Sequence, residues 1–284
     1  METIRQVDEM QLRALALRDA GKRIAFVPTM GYLHEGHLSL VRAARQYGDV
    51  VVLSIFVNPT QFGAGEDFAG YPRDLRRDSA LAQEAGVDII FAPEAADMYP
   101  REYATTVQVE GITKTLCGAS RPGHFDGVTT VVCKLFGIVQ PYAALFGMKD
   151  FQQLAVVRRM TVDLNIPVEI IGMPIVREDD GLAMSSRNKY LSGEMRRQAL
   201  ALSDSIRTAT TAALRGDTDA AKLIAMVKSR IARERNARID YVEICHDITL
   251  EPMRAIDKHS VLLVAVFFGS TRLIDNHYLL TPMD

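Results

Sequence analysis

The stretch Ile24-Ala25-Phe26-Val27-Pro28-Thr29-Met30-Gly31-Tyr32-Leu33-His34-Glu35-Gly36-His37-Leu38-Ser39-Leu40-Val41 decides the fold. Its opening, Ile24 to Val27, is a short apolar, partly β-branched run, the pattern of a buried strand. Its close sets Leu38, Leu40 and Val41, with Ala44 beyond, at helical spacing among polar residues, which predicts a helix over 36–46. Pro28, Gly31 and Gly36 punctuate the connection and let the backbone approach a ligand closely. His34 and His37 therefore fall in the first turn of a helix, just past the carboxyl end of a strand, where open α/β sheets bind ligands. A helix N-terminus offers N–H groups and partial positive charge to phosphate. Two imidazoles there add rotatable donors toward a phosphoryl group under attack. The same pair also fits a surface cap or half of a metal site.

The alternation continues on both sides. Val7, Met10, Leu12, Leu15 and Leu17 predict an amphipathic helix over 7–20. The continuous run Val50 to Val57 reads as a central parallel strand, ending at Asn58-Pro59-Thr60-Gln61-Phe62. Gly63-Ala64-Gly65-Glu66-Asp67 reads as a mobile loop, 78–85 as a helix, 88–93 as a strand and Thr105 to Val109 as an alternating edge strand. Arg121-Pro122-Gly123-His124-Phe125-Asp126-Gly127 opens a helix to Val139; a strand at 143–146, a turn at 147–150 and a helix through Met160 follow. A last strand from Val168 is interrupted by Pro174 and resumes at Ile175-Val176. This order implies a doubly wound α/β domain with right-handed crossovers. Beyond residue 177, helical patterns at 194–215 and 219–233 precede strands at 239–243, 261–268 and 271–275, which is α+β order. The expected domains are 1–176 and a smaller α+β domain, 177–284. There is no Walker-type loop and no Gly-x-Gly-x-x-Gly fingerprint.

The totals exclude several function classes. The 284 residues suffice for two ordinary domains, and 48% hydrophobic with 24% charged residues is an ordinary globular balance. A net charge of −2 makes no electrostatic case for nucleic acid or an anionic membrane. The absence of a signal pattern or long apolar run, and three widely spaced cysteines, lead to the expectation of a cytoplasmic protein with reduced thiols.

Four strand-end segments carry polar residues that sheet packing does not require. They are Met30 to His37; Asn58 with Gln61; Gly147-Met148-Lys149-Asp150 with Gln152 and Gln153; and Met184-Ser185-Ser186-Arg187-Asn188. Amides bind carboxyl and hydroxyl groups, Lys149 is a phosphate-binding point charge, and Asp150 is an acceptor for a ribose. Each segment taken singly also reads as a turn, a cap or a solvated helix start. Their recurrence at successive strand ends favours a site.

His34-Glu35-Gly36-His37 resembles the His-x-Gly-His signature of the nucleotidyltransferase superfamily that includes class I aminoacyl-tRNA synthetases. The longer match from Pro28 resembles the pantothenate synthetase (pantoate–β-alanine ligase) family. Tyr71-Pro72-Arg73, the Arg121 to Val128 segment and Arg272-Leu273-Ile274-Asp275-Asn276 match as well, so the resemblance runs from about 26 to 276. It implies a Rossmann-like domain with a C-terminal lid, a homodimer, and Mg²⁺-dependent, ATP-driven coupling of (R)-pantoate to β-alanine. It also implies ATP contacts at Met30, Gly31, Tyr32, Leu33, His34, Glu35, Gly36, His37, Gly147, Met148, Lys149, Asp150, Val176, Met184, Ser185, Ser186 and Arg187. His37, His34, Lys149, Ser186 and Arg187 would stabilise charge during catalysis; Gln61 would contact both acids, Gln153 pantoate, and Asn58 and Tyr71 would line the pocket. Asp78 is a candidate Mg²⁺ ligand. Met148 departs from the acidic residue common in the family, which bears on ATP binding. The 63–67 loop and the C-terminal domain would cover a reactive intermediate. Competing readings are a related nucleotidyltransferase acting on another acid, a nucleotide sensor without turnover, and a His34/His37 metal hydrolase.

Overall fold

A computed structural model describes residues 1–63, 65–66 and 68–283. The elements run β1 (Glu2–Ile4), α1 (Val7–Asp19), β2 (Ile24–Thr29), α2 (Glu35–Ala44), β3 (Val50–Ile55), α3 (Leu75–Glu84), β4 (Ile89–Phe91), α4 (Ala95–Met98), α5 (Cys117–Ser120), α6 (His124–Val139), β5 (Ala143–Gly147), α7 (Phe151–Asp163) and β6 (Glu169–Met173). After these come α8 (Gly193–Ala199), α9 (Ala201–Leu214), α10 (Ala220–Ile231), β7 (Ala237–His246), β8 (Ser260–Phe268) and β9 (Thr271–Tyr278). The chain divides into two compact units, residues 1–148 with 156–174, and residues 149–155 with 175–284.

The first unit is built on a six-stranded sheet in the order β1-β4-β3-β2-β5-β6, every pairing parallel. Apart from the edge strand β1, this is the doubly wound, Rossmann-like arrangement the alternation implies. The chain leaves β2 toward β3 and β4 on one side and returns to β5 and β6 on the other. The order therefore reverses between β2 and β5, and the crevice outside their carboxyl ends is where such sheets bind ligands. Residues 24–27 of β2 and 51–54 of β3 are buried, because helices cover both faces of a parallel sheet. Val27, Leu33, Val41, Leu53 and Leu145 meet in one core cluster, which ties the turn after β2 to the sheet.

The second unit carries an antiparallel sheet, β7-β8-β9. Its helices α9 and α10 bury Leu202, Ile206, Leu223 and Val227 together with Val242, Ile244 and Val264. Each side chain of that size, fully buried, stabilises by about 1.5–3 kcal/mol. Asp219 caps α10, accepting N–H bonds from Ala221 and Lys222 at 2.9 and 3.2 Å.

The structure departs from the sequence expectations at several points. Thr105 to Val109 forms no strand. Helix α6 takes its hydrogen bonds instead: Val107 N–H donates to Thr130 Oγ1 at 2.9 Å, and Thr129 Oγ1 donates to Val107 O. The last strand ends at Met173 and does not resume after Pro174; Arg177 forms only an isolated bridge with Ala183. The helix expected over 194–215 is two helices meeting at Leu200, with α8 packed on β8 and α9 on β9 and α10. Strand β1 carried no expectation; three residues are too few for periodicity. In the loop expected over 63–67, Ala64 and Asp67 lie outside the described residues. No described helix is long and apolar enough to cross a membrane.

Candidate active site

The turn after β2 is held in an unusual backbone shape. Gly31 has φ of +81° and Tyr32 has φ of +51°, a region that favours glycine. A Cβ on Gly31 would lie 2.9 Å from Ile55 Cγ2 and 3.0 Å from Asp78 Oδ2, so the position also demands glycine for space. Asp78, on α3, supports the turn: its Oδ2 accepts the Tyr32 N–H at 2.7 Å and its Oδ1 the Leu33 N–H at 2.8 Å. Arg77 reaches Asp78 at 3.3 Å, donates to Leu33 O at 3.0 Å and lies 5.1 Å over the Tyr32 ring. The Asp78 side chain is 1% exposed, with both oxygens occupied. Its geometry is that of a brace for the turn, and no face is left for the Mg²⁺ contact considered from sequence.

His34 and His37 form a capping box at the start of α2. His34 Nδ1 accepts the Gly36 N–H at 3.2 Å, and His37 Nδ1 accepts the His34 N–H at 3.3 Å. The rings lie 4.1 Å apart, tilted by 38°. In the neutral imidazoles an accepting Nδ1 places the proton on Nε2. Both rings are therefore fixed as Nε2–H donors, where the sequence suggested rotatable ones. Glu35 pairs with Arg42 further along the helix.

The amides after β3 form a second pre-set group. Asn58 Nδ2 donates to Gln61 Oε1 and to Gly127 O, each at 3.1 Å, while its Oδ1 accepts from Tyr99 OH at 2.8 Å and Thr60 Oγ1 at 2.9 Å. At 1% exposure Asn58 is spent on positioning Gln61. Gln61 Nε2 in turn reaches Met30 Sδ at 3.2 Å, which joins this group to the β2 turn. A Cβ on Gly127 would lie 2.4 Å from Thr60 O, so α6 packs directly on this turn because the residue is glycine. His124, given no role in the sequence analysis, is 8% exposed and donates through Nδ1 to Gln61 O at 2.8 Å. Its Nε2 then accepts from Arg121 at 3.0 Å, and Arg121 is bidentate to Glu66, both bonds 2.7 Å. Hydrogen bonds from Arg121 hold the Glu66 carboxyl below its ordinary range against the opposing effect of burial. Tyr71 is 7% exposed, with its ring edge-on to Phe62 at 6.0 Å. Gly147 closes β5 beside the switch point, and Met148 opens the turn that follows.

The remaining predicted residues lie on the second unit. Lys149 Nζ is 3.6 Å from Asp150 Oδ2, and its carbonyl accepts from Asn276 Nδ2 at 2.9 Å. Gln153 lies half-buried in the first turn of α7. The 176–188 segment is pinned from two sides. Arg177 is bidentate to the buried Asp275 at 2.7 and 3.0 Å, and Asn188 donates to Glu178, which also binds Arg196 at 2.6 Å. Within it Met184 N–H donates to Val176 O at 3.0 Å, and Ser185 Oγ caps the turn at Ser186–Tyr190 by accepting the Arg187 N–H at 3.2 Å. Sequence reasoning noted Asp275-Asn276 as a match without a role, and it gave Arg177 and Glu178 none.

Comparison with known proteins identifies the family and the fold. The pantoate-beta-alanine ligase family profile matches residues 2–278. The pantothenate synthetase of Syntrophotalea carbinolica is 64% identical over 280 residues, covering 99% of both chains. That of Geotalea daltonii is 58% identical, covering 98% of this chain and 99% of the relative. A crystal structure of pantothenate synthetase from Thermus thermophilus superposes with a TM-score of 0.94 at 49% identity, covering 99% of this chain and 100% of that one. The ligase from Francisella tularensis, solved with β-γ ATP and β-alanine, gives 0.80 at 32% identity, covering 99% and 98%.

Proposed function

The chain belongs to the pantoate–β-alanine ligase family, and from that premise we propose that it condenses (R)-pantoate with β-alanine through a pantoyl adenylate. It is an ATP-using ligase that forms pantothenate. The observation that carries the adenylate route is the capping box. It holds two Nε2–H donors at a helix N-terminus, on a sheet switch point, with the Gln61 amide in contact with the same turn.

In the first step a pantoate carboxylate oxygen attacks the α-phosphorus of ATP, the bond to the bridging oxygen breaks, and pyrophosphate leaves. No protein nucleophile is needed. His34 and His37 donate to phosphate oxygens as charge builds, and Lys149, Ser186 and Arg187 add to that stabilisation. Met30 to Leu33, Glu35, Gly36, Gly147, Met148, Asp150, Val176, Met184 and Ser185 complete the nucleotide contacts. Gln61 and Gln153 hold the pantoate in line, with Asn58 and Tyr71 fixing the pocket wall. In the second step the β-alanine amine attacks the acyl carbon, AMP departs, and the amine loses a proton. Shielding the mixed anhydride from water is the task assigned to the C-terminal domain.

Mg²⁺ would neutralise phosphate charge. The half-exposed Asp150 would be its protein contact; Asp78, whose oxygens brace the turn, would not. A cytoplasmic homodimer completes the proposal. Labelled pyrophosphate exchange into ATP tests it. Exchange that requires pantoate but not β-alanine supports adenylation; ATP binding without exchange under any condition favours a sensor.

A further inference from the structure

One end of the small antiparallel sheet gathers His246, Asp247 and His259, none of which belongs to the substrate set. Strand β7 ends at His246, and β8 starts directly after His259. Asp247 N–H donates to His259 O at 2.9 Å, which draws the two strand ends together. The imidazoles stack, with centroids 4.9 Å apart and planes 16° from parallel. Asp247 Oδ1 lies 3.4 Å from His246 Nδ1 and 3.2 Å from His259 Nδ1. The Tyr278 hydroxyl donates to the other carboxylate oxygen at 3.3 Å.

His246 Nδ1 accepts the Ile248 N–H at 3.2 Å, so it carries a lone pair, and it lies 3.4 Å from the Asp247 oxygen. One metal cation would give these acceptors a shared partner, at the cost of the long Ile248 contact and of tilting the two rings out of their stack, since imidazole binds a metal in the ring plane. Zn²⁺ binds histidine nitrogen and carboxylate oxygen at about 2.0–2.2 Å, and tetrahedral angles then separate neighbouring donor atoms by about 3.3–3.6 Å. The observed spacings of 3.4 and 3.2 Å are close to that edge. Two imidazoles with one carboxylate favour a borderline transition metal over Mg²⁺ or Ca²⁺. Tyr278 supplies an outer hydrogen bond of the kind that orients a ligating carboxylate.

We propose that His246, Asp247 and His259 bind one divalent transition-metal cation of the Zn²⁺ or Co²⁺ class, with water in the fourth position, and that the ion clips the β7–β8 connection. The test uses the full chain stripped of metal and titrated with Co²⁺, read by the visible absorption of four-coordinate cobalt and by competition with Zn²⁺. Stoichiometry comes from elemental analysis after dialysis. His246→Gln, His259→Gln, their double variant and His37→Ala are compared, with circular dichroism confirming folding. The expected result is one equivalent in the wild type and in His37→Ala, and about tenfold or more weaker binding in each single glutamine variant. Zn²⁺ should raise Tm in the wild type and not in the double variant. Cobalt retained by the folded double variant, lost in His37→Ala, or not bound stoichiometrically by the wild type overturns the proposal.

Discussion

Asp78 Oδ2 accepts the Tyr32 N–H at 2.7 Å, joining a carboxylate on α3 to a residue of positive φ in the turn ahead of the two histidines. The second oxygen takes the next N–H, so one buried side chain holds two successive amides. A non-glycine residue in the left-handed region costs of order 1–3 kcal/mol and persists only when its surroundings impose it. Asp78 is what imposes it here. Asp78→Asn keeps one acceptor and turns the other into a donor facing an N–H. Pantoate-dependent pyrophosphate exchange should fall about 10²-fold through misplacement of the capping box. Asp78→Glu should rescue little, because the Asp78 side chain is buried and a longer one would displace the carboxylate from the two N–H groups it holds. Exchange kinetics with circular dichroism on each variant check this.

His37→Ala removes half of a helix cap and, on the proposed mechanism, a donor to the phosphates. Adenylation should drop by roughly 10²–10³-fold, while stability should fall only by about 1 kcal/mol, as for a lost cap. Urea denaturation separates the two effects. Near wild-type exchange in a folded His37→Ala protein would remove the histidine from the mechanism.

Gly127→Ala tests the packing of α6 on the amide turn. The added methyl meets the Thr60 carbonyl at 2.4 Å, so the turn must move. Overpacking of this kind costs about 1–3 kcal/mol. Because Asn58 bonds to both Gly127 O and Gln61, the shift should raise KM for pantoate more than KM for ATP.

Glu66 gives the site loop an acid-sensitive anchor. Its pKa lies below the ordinary 4.5, chiefly through hydrogen bonds from Arg121. A depressed carboxylate contributes stability that is complete above its unfolded pKa and disappears as pH falls through the folded value. The difference in denaturation midpoint between the wild type and Glu66→Gln should therefore be present at pH 7 and vanish on acidification below the ordinary carboxylate range. Midpoints measured across that range decide the matter.

Arg177→Lys should loosen the 176–188 segment, since lysine cannot make the bidentate contact to Asp275. Weakened ATP binding by calorimetry, with the Tm of the β7–β9 unit little changed, is the expected result.

The strands and helices around the switch point were legible because apolar runs and helical spacing are local properties. Val50 to Ile55 could be read directly, since a strand buried on both faces is apolar at nearly every position, here all but Ser54. Thr105 to Val109 could not. Its alternation is that of an edge strand, but Thr129 and Thr130, more than twenty residues on, bind its backbone. His34 and His37 show both sides at once. Their position at a helix start was plain from spacing, and the alternatives of a cap and a catalytic pair looked exclusive. The structure shows the cap, and because capping occupies each Nδ1 of a neutral ring, the proton is left on Nε2, so the cap does not exclude the proposed role.

The sequence by itself determined the doubly wound domain, the α+β character of the later chain and the identity of the residues at the strand ends. These follow from periodicity and from residue chemistry, which need no knowledge of distant neighbours. Only the tertiary structure decided which groups hold them. Asp78 bracing Tyr32, His124 fixing the Gln61 carbonyl, Gly127 admitting α6 and Asp275 gripping Arg177 all join residues 45 or more positions apart. No local pattern encodes such pairs, because a buried carboxylate and a solvated one look alike in sequence; burial and a partner tell them apart.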